Sequence, residues 1–301
     1  MQIAITGASG LIGTALAGAL RAGGHTVRPL VRGPSSDPGA VRWDPAAGTV
    51  DAAALAGVDA VVHLAGAGIG DKRWSVARKA EIRASRTRGT GLLARTLASL
   101  DPRPAVLVSG SAVGVYGDRG DEVLTELSAP GDDFLAHVVQ DWEAAAAPAA
   151  DAGIRTAFAR TGIVLARHGG VLPRLALPFK LFLGGRLGTG RQWVSWITLD
   201  DEVAALRFLL ERADLAGPVN LVAPEPVTNA ELAAALGATL HRPAAVPVPR
   251  FGPRLVLGRE MADELLFVSQ RARPGVLVDA GFPFAHPTVA AGLAAVLGDR
   301  P

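Results

Sequence analysis

Gly7, Gly10 and Gly13, in "TGASGLIG", stand between a short apolar run and a helical pattern. Glycine at these positions permits a tight turn, close approach of the backbone to a pyrophosphate, and close packing of helix on sheet. The following helix would then present free amides and the positive end of its dipole. Such a loop suits a dinucleotide. A carboxylate about 20 residues beyond the glycines would accept a hydrogen bond from a ribose 2′-hydroxyl. The position nineteen beyond Gly13 is instead Arg32, in "LVRGP", and the nearest acid is Asp37. A guanidinium suits a 2′-phosphate through charge-assisted, bidentate contact. The spacing therefore favours NADP(H) over NAD, the alternative being that Arg32 is a solvated loop arginine.

Hydride transfer between such a cofactor and a carbonyl needs an acid for the developing alkoxide and donors that stabilise it. "SGSAVGVYG" (109–117) offers Ser109, Ser111 and Tyr116, the single tyrosine of the 301-residue chain. Tyr116 and His137 are the alternative acids. Packing for the tyrosine and exposure for the histidine are the competing readings. His63 lies inside a buried apolar run and reads as structural. "HLAGAG" (63–68) supplies small residues, Gly66 among them, past which a nucleotide could lie close to the backbone. The sequence shows no His/Asp/Glu cluster with metal-ligand spacing and no G-x-S-x-G elbow.

The elements that must position these residues alternate in the first 165 residues. Apolar runs at 2–6, 26–31, 60–65, 105–110 and 155–160 predict strands, with helices over 11–23, 75–99 and 135–151. That alternation is the mark of a parallel sheet with crossover helices. From Gly169 the texture changes, and residues 169–192 read as a Pro/Gly-punctuated lid or pocket lining. A strand and helix follow over 196–212 and a strand over 217–223. Further helices are expected at 228–237, near 258–270 and at 287–298. The expected fold class is α/β, a Rossmann-type doubly wound parallel sheet with a small C-terminal α/β substrate cap. Residues 1–168 and 193–223 would form the NADP(H)-binding part, and residues 169–192 and 224–301 the cap.

Composition narrows the function classes. Lysine plus arginine exceed aspartate plus glutamate by a net charge of +2, too little for a nucleic-acid footprint. There are no cysteines, which excludes disulfides and thiolate chemistry. The longest apolar stretch, "VLPRLALPFKLFLGG", is broken by Pro173, Arg174, Pro178 and Lys180, and is too short and too charged to span a membrane. No secretory signal is evident. The expectation is a soluble, cytoplasmic protein acting on a small molecule.

These landmarks resemble the extended short-chain dehydrogenase/reductase superfamily, and more closely its atypical branch of "epimerase family" proteins with a C-terminal domain of unknown function. The residues carrying the resemblance are "TGASGLIG", "HLAGAGI" with "RW" (73–74), "KAEIRASRTRGT" (79–90), "SGSAVGVYG", "DWEAAA" (141–146), "RTGIVL" (160–165), "GTGRQWVSWITLDD" (188–201), "NLVAPEPVTNAELAAALG" (220–237) and "GREMADELL" (258–266). They run along nearly the whole chain.

The resemblance implies that Gly7, Ser9, Gly10, Leu11, Ile12, Gly13 and Arg32 hold the pyrophosphate and phosphorylated ribose. It places Leu64, Ala65 and Gly66 on the adenosine side and Ser109 by the cofactor. Glu81 and Arg86 would face the cofactor, and the Val164 backbone would meet the nicotinamide amide. Arg86 stands where many members keep an asparagine, so a surface arginine is its alternative. Ser111 matches the catalytic serine, with Ser109 as the competing choice. The superfamily's Tyr-x-x-x-Lys, in which the lysine lowers the phenol's pKa, is missing. Four residues beyond Tyr116 stands Gly120, and aligning "WE" puts apolar Leu135 and Val139 at the two positions. On the substrate side Gln192, Trp193, Ser195 and Trp196 are expected, with Trp74 and Lys79 as further candidates. A hinge-core role for the 192–196 residues is equally open.

The resemblance thus implies an NADP(H)-dependent oxidoreductase acting on an unidentified small molecule. A nucleotide-sugar epimerase or dehydratase and a non-catalytic NADP(H)-binding sensor or scaffold are the alternatives. Dimers are common in the superfamily, and the oligomeric state stays open.

Overall fold

The computed structural model describes residues 1–298. Its first half runs β1 (Gln2–Thr6), α1 (Leu11–Ala22), β2 (Thr26–Val31), β3 (Val41–Asp44), β4 (Thr49–Val50), α2 (Ala52–Leu55), β5 (Ala60–His63), α3 (Val76–Ala98) and β6 (Val106–Ala112). Then come β7 (Val123–Leu124), α4 (Phe134–Ala144), α5 (Ala147–Asp151), β8 (Arg155–Thr161) and β9 (Ile163–Leu165). The second half holds α6 (Leu172–Lys180), β10 (Trp193–Val194), β11 (Trp196–Thr198), α7 (Leu199–Glu211), β12 (Gly217–Leu221), β13 (Val227–Thr228) and α8 (Asn229–Leu240). It closes with α9 (Phe251–Leu257), α10 (Arg259–Ala262), β14 (Arg271–Ala272), α11 (Gly275–Asp279) and α12 (Val289–Leu297).

The large sheet has the order β12-β8-β6-β5-β1-β2-β3-β4, parallel except for the antiparallel β3–β4 edge. The chain leaves β1 toward β2 on one side and returns to β5 on the other. The loop after β1 therefore opens at a point where the strand order reverses, the place such sheets bind ligands. One face is covered by α1 and α7, through Leu16, Leu20, Leu206 and Leu209. The other is covered by α3 and α5, through Leu93, Leu97 and Ala149. Helices on both faces explain why these strands read as continuous apolar runs.

All five strands expected in the first 165 residues lie in this sheet, as does the one expected at 217–223, while the strand expected from 196 pairs as β11 with β9 in a separate two-stranded sheet. The β3–β4 hairpin was not anticipated, because Val41 and Trp43 alternate with exposed Arg42 over only four residues. The helix expected over 135–151 divides at Ala145–Ala146, with Pro148 in the first turn of α5. The lid-like 169–192 segment contains α6, which starts beside Pro173 and keeps Pro178 inside. Its Leu172, Ala176 and Phe179 are buried. The helix expected near 258–270 is the short α10 followed by a π-type turn over Asp263–Phe267.

Those α6 residues meet Leu232 and Leu236 of α8, Leu293 of α12 and Trp196 in a second core. Trp196 is fully buried and its indole N–H donates to the Glu225 carbonyl at 3.0 Å. This corrects the expectation that it faces a substrate: it is a core residue. Leu277 and Phe282, in the segment expected to form the cap, pack instead into the first core. Asp201 ties the tail down by accepting from the Ala285 and His286 amides at 2.8 and 3.0 Å. Among the described residues no helix is long and apolar enough to cross a membrane.

Trp196→Ala should lower unfolding free energy by about 3–5 kcal/mol, the usual cost of emptying a buried aromatic site. Urea unfolding followed by circular dichroism measures it, and an unchanged midpoint would contradict the packing role.

Candidate functional site

Thr6 ends β1 with its hydroxyl inside the sheet, where Oγ1 accepts from the Leu64 and Ala65 amides at 3.0 and 3.1 Å. Its own proton therefore goes to His63 Nδ1, 2.7 Å away. Burial pushes the His63 pKa down to about 4, so the ring is neutral. This is the structural histidine the sequence suggested. The same contacts draw the end of β5 against the glycine loop. Gly7 has φ +69°, and a Cβ there would lie 2.9 Å from the Leu64 carbonyl carbon. A Cβ on Gly13 would lie 2.1 Å from the Gly7 oxygen.

α1 starts at Gly10 without a side-chain cap, and its first turn holds no acid. Its first internal bond runs from the Thr14 amide to the Gly10 carbonyl. The Leu11, Ile12 and Gly13 amides thus precede the helical ladder, and Ser9 and Gly10 are exposed beside them. A cradle of this shape fits an anion. Arg32 is exposed just past β2. Asp37, the acid nearest to it, is committed to Arg21 at 3.1 Å and to the Gly39 amide at 2.9 Å.

A cavity of about 240 Å³ opens where the carboxyl ends of the strands meet α4, α6 and the π-type turn. Its walls are mostly apolar. Leu135, Val139 and Trp142 come from α4, Thr161, Gly162 and Ile163 from the β8–β9 link, and Leu265 and Leu266 from the turn. Leu135 and Val139, at the positions aligned with the superfamily's tyrosine and lysine, both line it. The charged side chains in the lining are Arg86, Asp133 and Glu264.

Arg86 stands in the wall, not on the surface, with its guanidinium donating to the Ala67 and Ile82 carbonyls. A Cβ on exposed Gly66 would lie 3.4 Å from Arg86 Cζ. Burial, with nearby Arg78 adding repulsion, brings the Arg86 pKa down to about 10. Glu81, expected to face the cofactor, is exposed and paired with Arg78 at 2.7 Å. Arg78 in turn donates to the Gly68 carbonyl and so fixes the loop after β5. That role belongs to a buried arginine the sequence did not single out.

Neither candidate in "SGSAVGVYG" reaches the cavity. Ser111 donates to Glu143 Oε1 at 2.6 Å, and Glu143 also accepts from Arg160 Nε and Nη2 at 2.8 and 2.9 Å. Tyr116 is fully buried; its hydroxyl donates to Asn220 Oδ1 at 2.7 Å and accepts from Arg160 Nη1 at 3.1 Å. Burial raises the phenol's pKa against the lowering pull of Arg160. Both residues knit β6, β8, β12 and α4 together, which corrects their reading as catalytic groups. Ser109 is likewise buried, its hydroxyl directed at the Gly110 carbonyl. His137 is exposed, with Nδ1 donating to the Asp133 carbonyl.

Of the substrate-side candidates, Trp193 and Ser195 line the cavity. Gln192 does not: its amide donates to the Leu187 and Leu266 carbonyls and it borders a separate depression with Asp118 and Arg191. Trp74 donates to the Ile69 carbonyl and meets Phe134 edge-on at 5.0 Å, with Lys79 over the same Phe134 ring. Leu64 and Ala65 are half-buried beside the glycine loop. The Val164 carbonyl backs onto Gly170.

Sequence reasoning missed three carboxyl groups. Asp133 caps α4 through the Ala136 amide at 2.8 Å. Glu264 reaches the same helix end from the C-terminal part, its Oε2 accepting from the Leu135 amide at 3.0 Å. Glu202 of α7 is fully buried and accepts from Thr161 Oγ1 at 2.8 Å. Burial raises its pKa to about 8. Among the described residues no group of three or more His, Asp or Glu could hold a metal.

Two measurements follow. Tyr116→Phe strands Asn220 Oδ1 and an Arg160 donor and should cost about 1–3 kcal/mol in urea unfolding. Ligand affinity should stay as in the parent, and a selective loss of affinity would contradict this. Glu202 titrates near 4.5 when solvated and near 8 when folded. Between those values the folded chain holds a proton that the unfolded chain releases, so stability falls as pH rises through the window. Glu202→Gln should flatten that fall in a series of thermal melts. Glu264, raised in the same sense, leaves a residual slope.

Residues 3–222 match the family model described as "NAD dependent epimerase/dehydratase family", and residues 248–296 match a "Domain of unknown function (DUF1731)". Over 287 residues the chain is 46% identical to the epimerase family protein MT2273 of Mycobacterium tuberculosis, covering 95% of this chain and 94% of that one. The crystal structure of human epimerase family protein SDR39U1 (isoform 2) with NADPH superposes with TM-score 0.90 at 35% identity, covering 98% and 99% of the two chains. A nucleoside-diphosphate sugar epimerase of Corynebacterium glutamicum superposes with TM-score 0.82 at 41% identity, across 99% of this chain and 58% of that one.

Proposed function

The chain belongs to the NAD dependent epimerase/dehydratase family, and from that premise we propose that it is an NADP(H)-dependent oxidoreductase acting on a small, largely apolar carbonyl compound or its alcohol. The observation that carries this reading is the apolar cavity of about 240 Å³ with only three charged side chains in its lining. A shape-filling apolar site with few placed polar groups suits a small organic substrate. A sugar would bring many hydroxyls that such walls leave without partners.

The cofactor assignment rests on the glycine cradle and on Arg32. The Leu11 and Ile12 amides, with Ser9 beside them, would meet the pyrophosphate, and Gly7 and Gly13 leave it room. Arg32 would take the 2′-phosphate, since Asp37 is tied to Arg21 and Gly39. The human relative was solved with NADPH, which supports the same choice. Leu64, Ala65 and Gly66 would flank the adenosine side, and the Val164 backbone the carboxamide. When bound, the nicotinamide supplies or accepts the hydride. Arg86 would keep positive charge at the wall where an oxyanion develops, and Trp142, Leu135 and Val139 would exclude water. A second reading, a cofactor-binding sensor without turnover, draws on apolar Leu135 and Val139.

Arg32→Ala should weaken NADPH binding about 10- to 100-fold, the worth of one charge-assisted contact, while NADH affinity stays unchanged. Nucleotide fluorescence titration reads both. Tighter binding of NADH than NADPH by the parent protein would defeat the assignment.

A further inference from the structure

Resting on the oxidoreductase reading, we propose that Glu264 is the catalytic proton donor and acceptor, a carboxyl brought by the C-terminal segment to the helix position from which the superfamily's tyrosine is missing. Glu264 lies in the π-type turn Asp263–Phe267 and lines the cavity together with Leu265 and Leu266. Its carboxylate meets the backbone N–H of Leu135, the residue aligned with that tyrosine. The acid thus arrives at the same place along α4, from a different part of the chain.

The turn sorts two adjacent acids. Asp263 pairs with Arg254 at 2.8 Å, with Arg250 and Arg259 within 3.9 Å. Glu264, one residue on, has no salt-bridge partner among the described residues. It has Asp133 from α4 and Glu260 from α10 as acidic neighbours. Glu260 is paired with Lys79 of α3. Asp133 is committed to capping α4. Exposed His137 stands on the outer side of that helix, and Arg86 lies in the wall of the same cavity. Burial, then the Asp133 and Glu260 charges, raise the Glu264 pKa to about 7 against the opposing Leu135 amide. Burial raises the Asp133 pKa in the same sense, and its duty is set by the cap it makes to the Ala136 amide.

In the reducing direction the carbonyl carbon gains a hydride from the reduced nicotinamide, and the carbonyl oxygen gains the Glu264 proton. The products are the alcohol, the oxidised nicotinamide and the Glu264 carboxylate, which regains a proton from water. The oxidising direction reverses each transfer.

The test uses the full-length protein and Glu264→Gln, which keeps an acceptor for the Leu135 amide, with thermal melts to confirm folding and Glu264→Ala as a second variant. Infrared difference spectra across pH should show a carboxylic acid band titrating near 7 in the parent that is lost in Glu264→Gln, while the band of buried Glu202, titrating near 8, stays in both. NADPH oxidation is then followed with a panel of aliphatic and aromatic aldehydes and ketones. Glu264→Gln should lose about 10²- to 10⁴-fold in kcat, the usual worth of general acid catalysis, with NADPH affinity unchanged. The parent's rate of carbonyl reduction should fall above pH 7. A parent that turns over, with Glu264→Gln equally fast, overturns the role of Glu264 and leaves the oxidoreductase reading intact. A parent that binds NADPH, keeps the titrating band and reduces nothing overturns the oxidoreductase reading and the catalytic role with it.

Discussion

The forked ion pair between Arg160 and Glu143 holds the sheet to α4. Arg160 leaves β8 inside the protein and meets both carboxylate oxygens at 2.8 and 2.9 Å. Its remaining donor reaches Tyr116 and the Glu126 carbonyl, and Ser111 adds a third donor to Glu143. Glu126 accepts from the Asn220 and Val276 amides, extending the network to β12 and α11. A buried pair of this kind contributes little against an apolar replacement, yet removing one partner costs about 3–5 kcal/mol because a charge is stranded. It fixes where α4 sits, and α4 supplies Leu135, Val139 and Trp142 to the cavity.

The charge pattern around the cavity follows from that frame. Arg86 on one wall and two carboxyls at the start of α4 share an otherwise apolar enclosure. In such surroundings a charge is costly without a partner. Arg86 answers with backbone carbonyls and the Trp142 ring, Asp133 with the amides of its own helix, and Glu264 by tending toward its neutral form. The glycine cradle sits across β1 and works without side-chain charge. Its binding capacity lies in the amides ahead of α1, so its demands fall on backbone clearance at Gly7 and Gly13.

Much of the fold was legible because its signals are local. Apolar runs separated by helical periodicity marked β1, β2, β5, β6 and β8, and the glycines marked the turn that opens the cofactor cradle. The β3–β4 hairpin escaped because four alternating residues are too few to separate a strand from a loop. The α6 helix escaped because Pro173 and Pro178 mimic a break, although one sits in the first turn where its missing N–H costs nothing. The π-type turn at 263–267 has no sequence signature, and it is the element that directs Glu264 inward.

Sequence by itself determined the parallel sheet, the nucleotide cradle, an arginine rather than an acid nineteen residues past Gly13 and the absence of a Tyr-x-x-x-Lys pair, since each depends on residues near one another in the chain or on a count. The tertiary structure alone decided what the lone tyrosine does. Tyr116 is bonded to Asn220, 104 residues away, and to Arg160, so it is a strut inside the sheet. It also decided that Ser111 serves Glu143, that Trp196 is core, and that Glu264 meets Leu135 across 129 residues. A side chain's hydrogen-bond partners and solvation fix its chemistry, and only the folded chain brings those partners together.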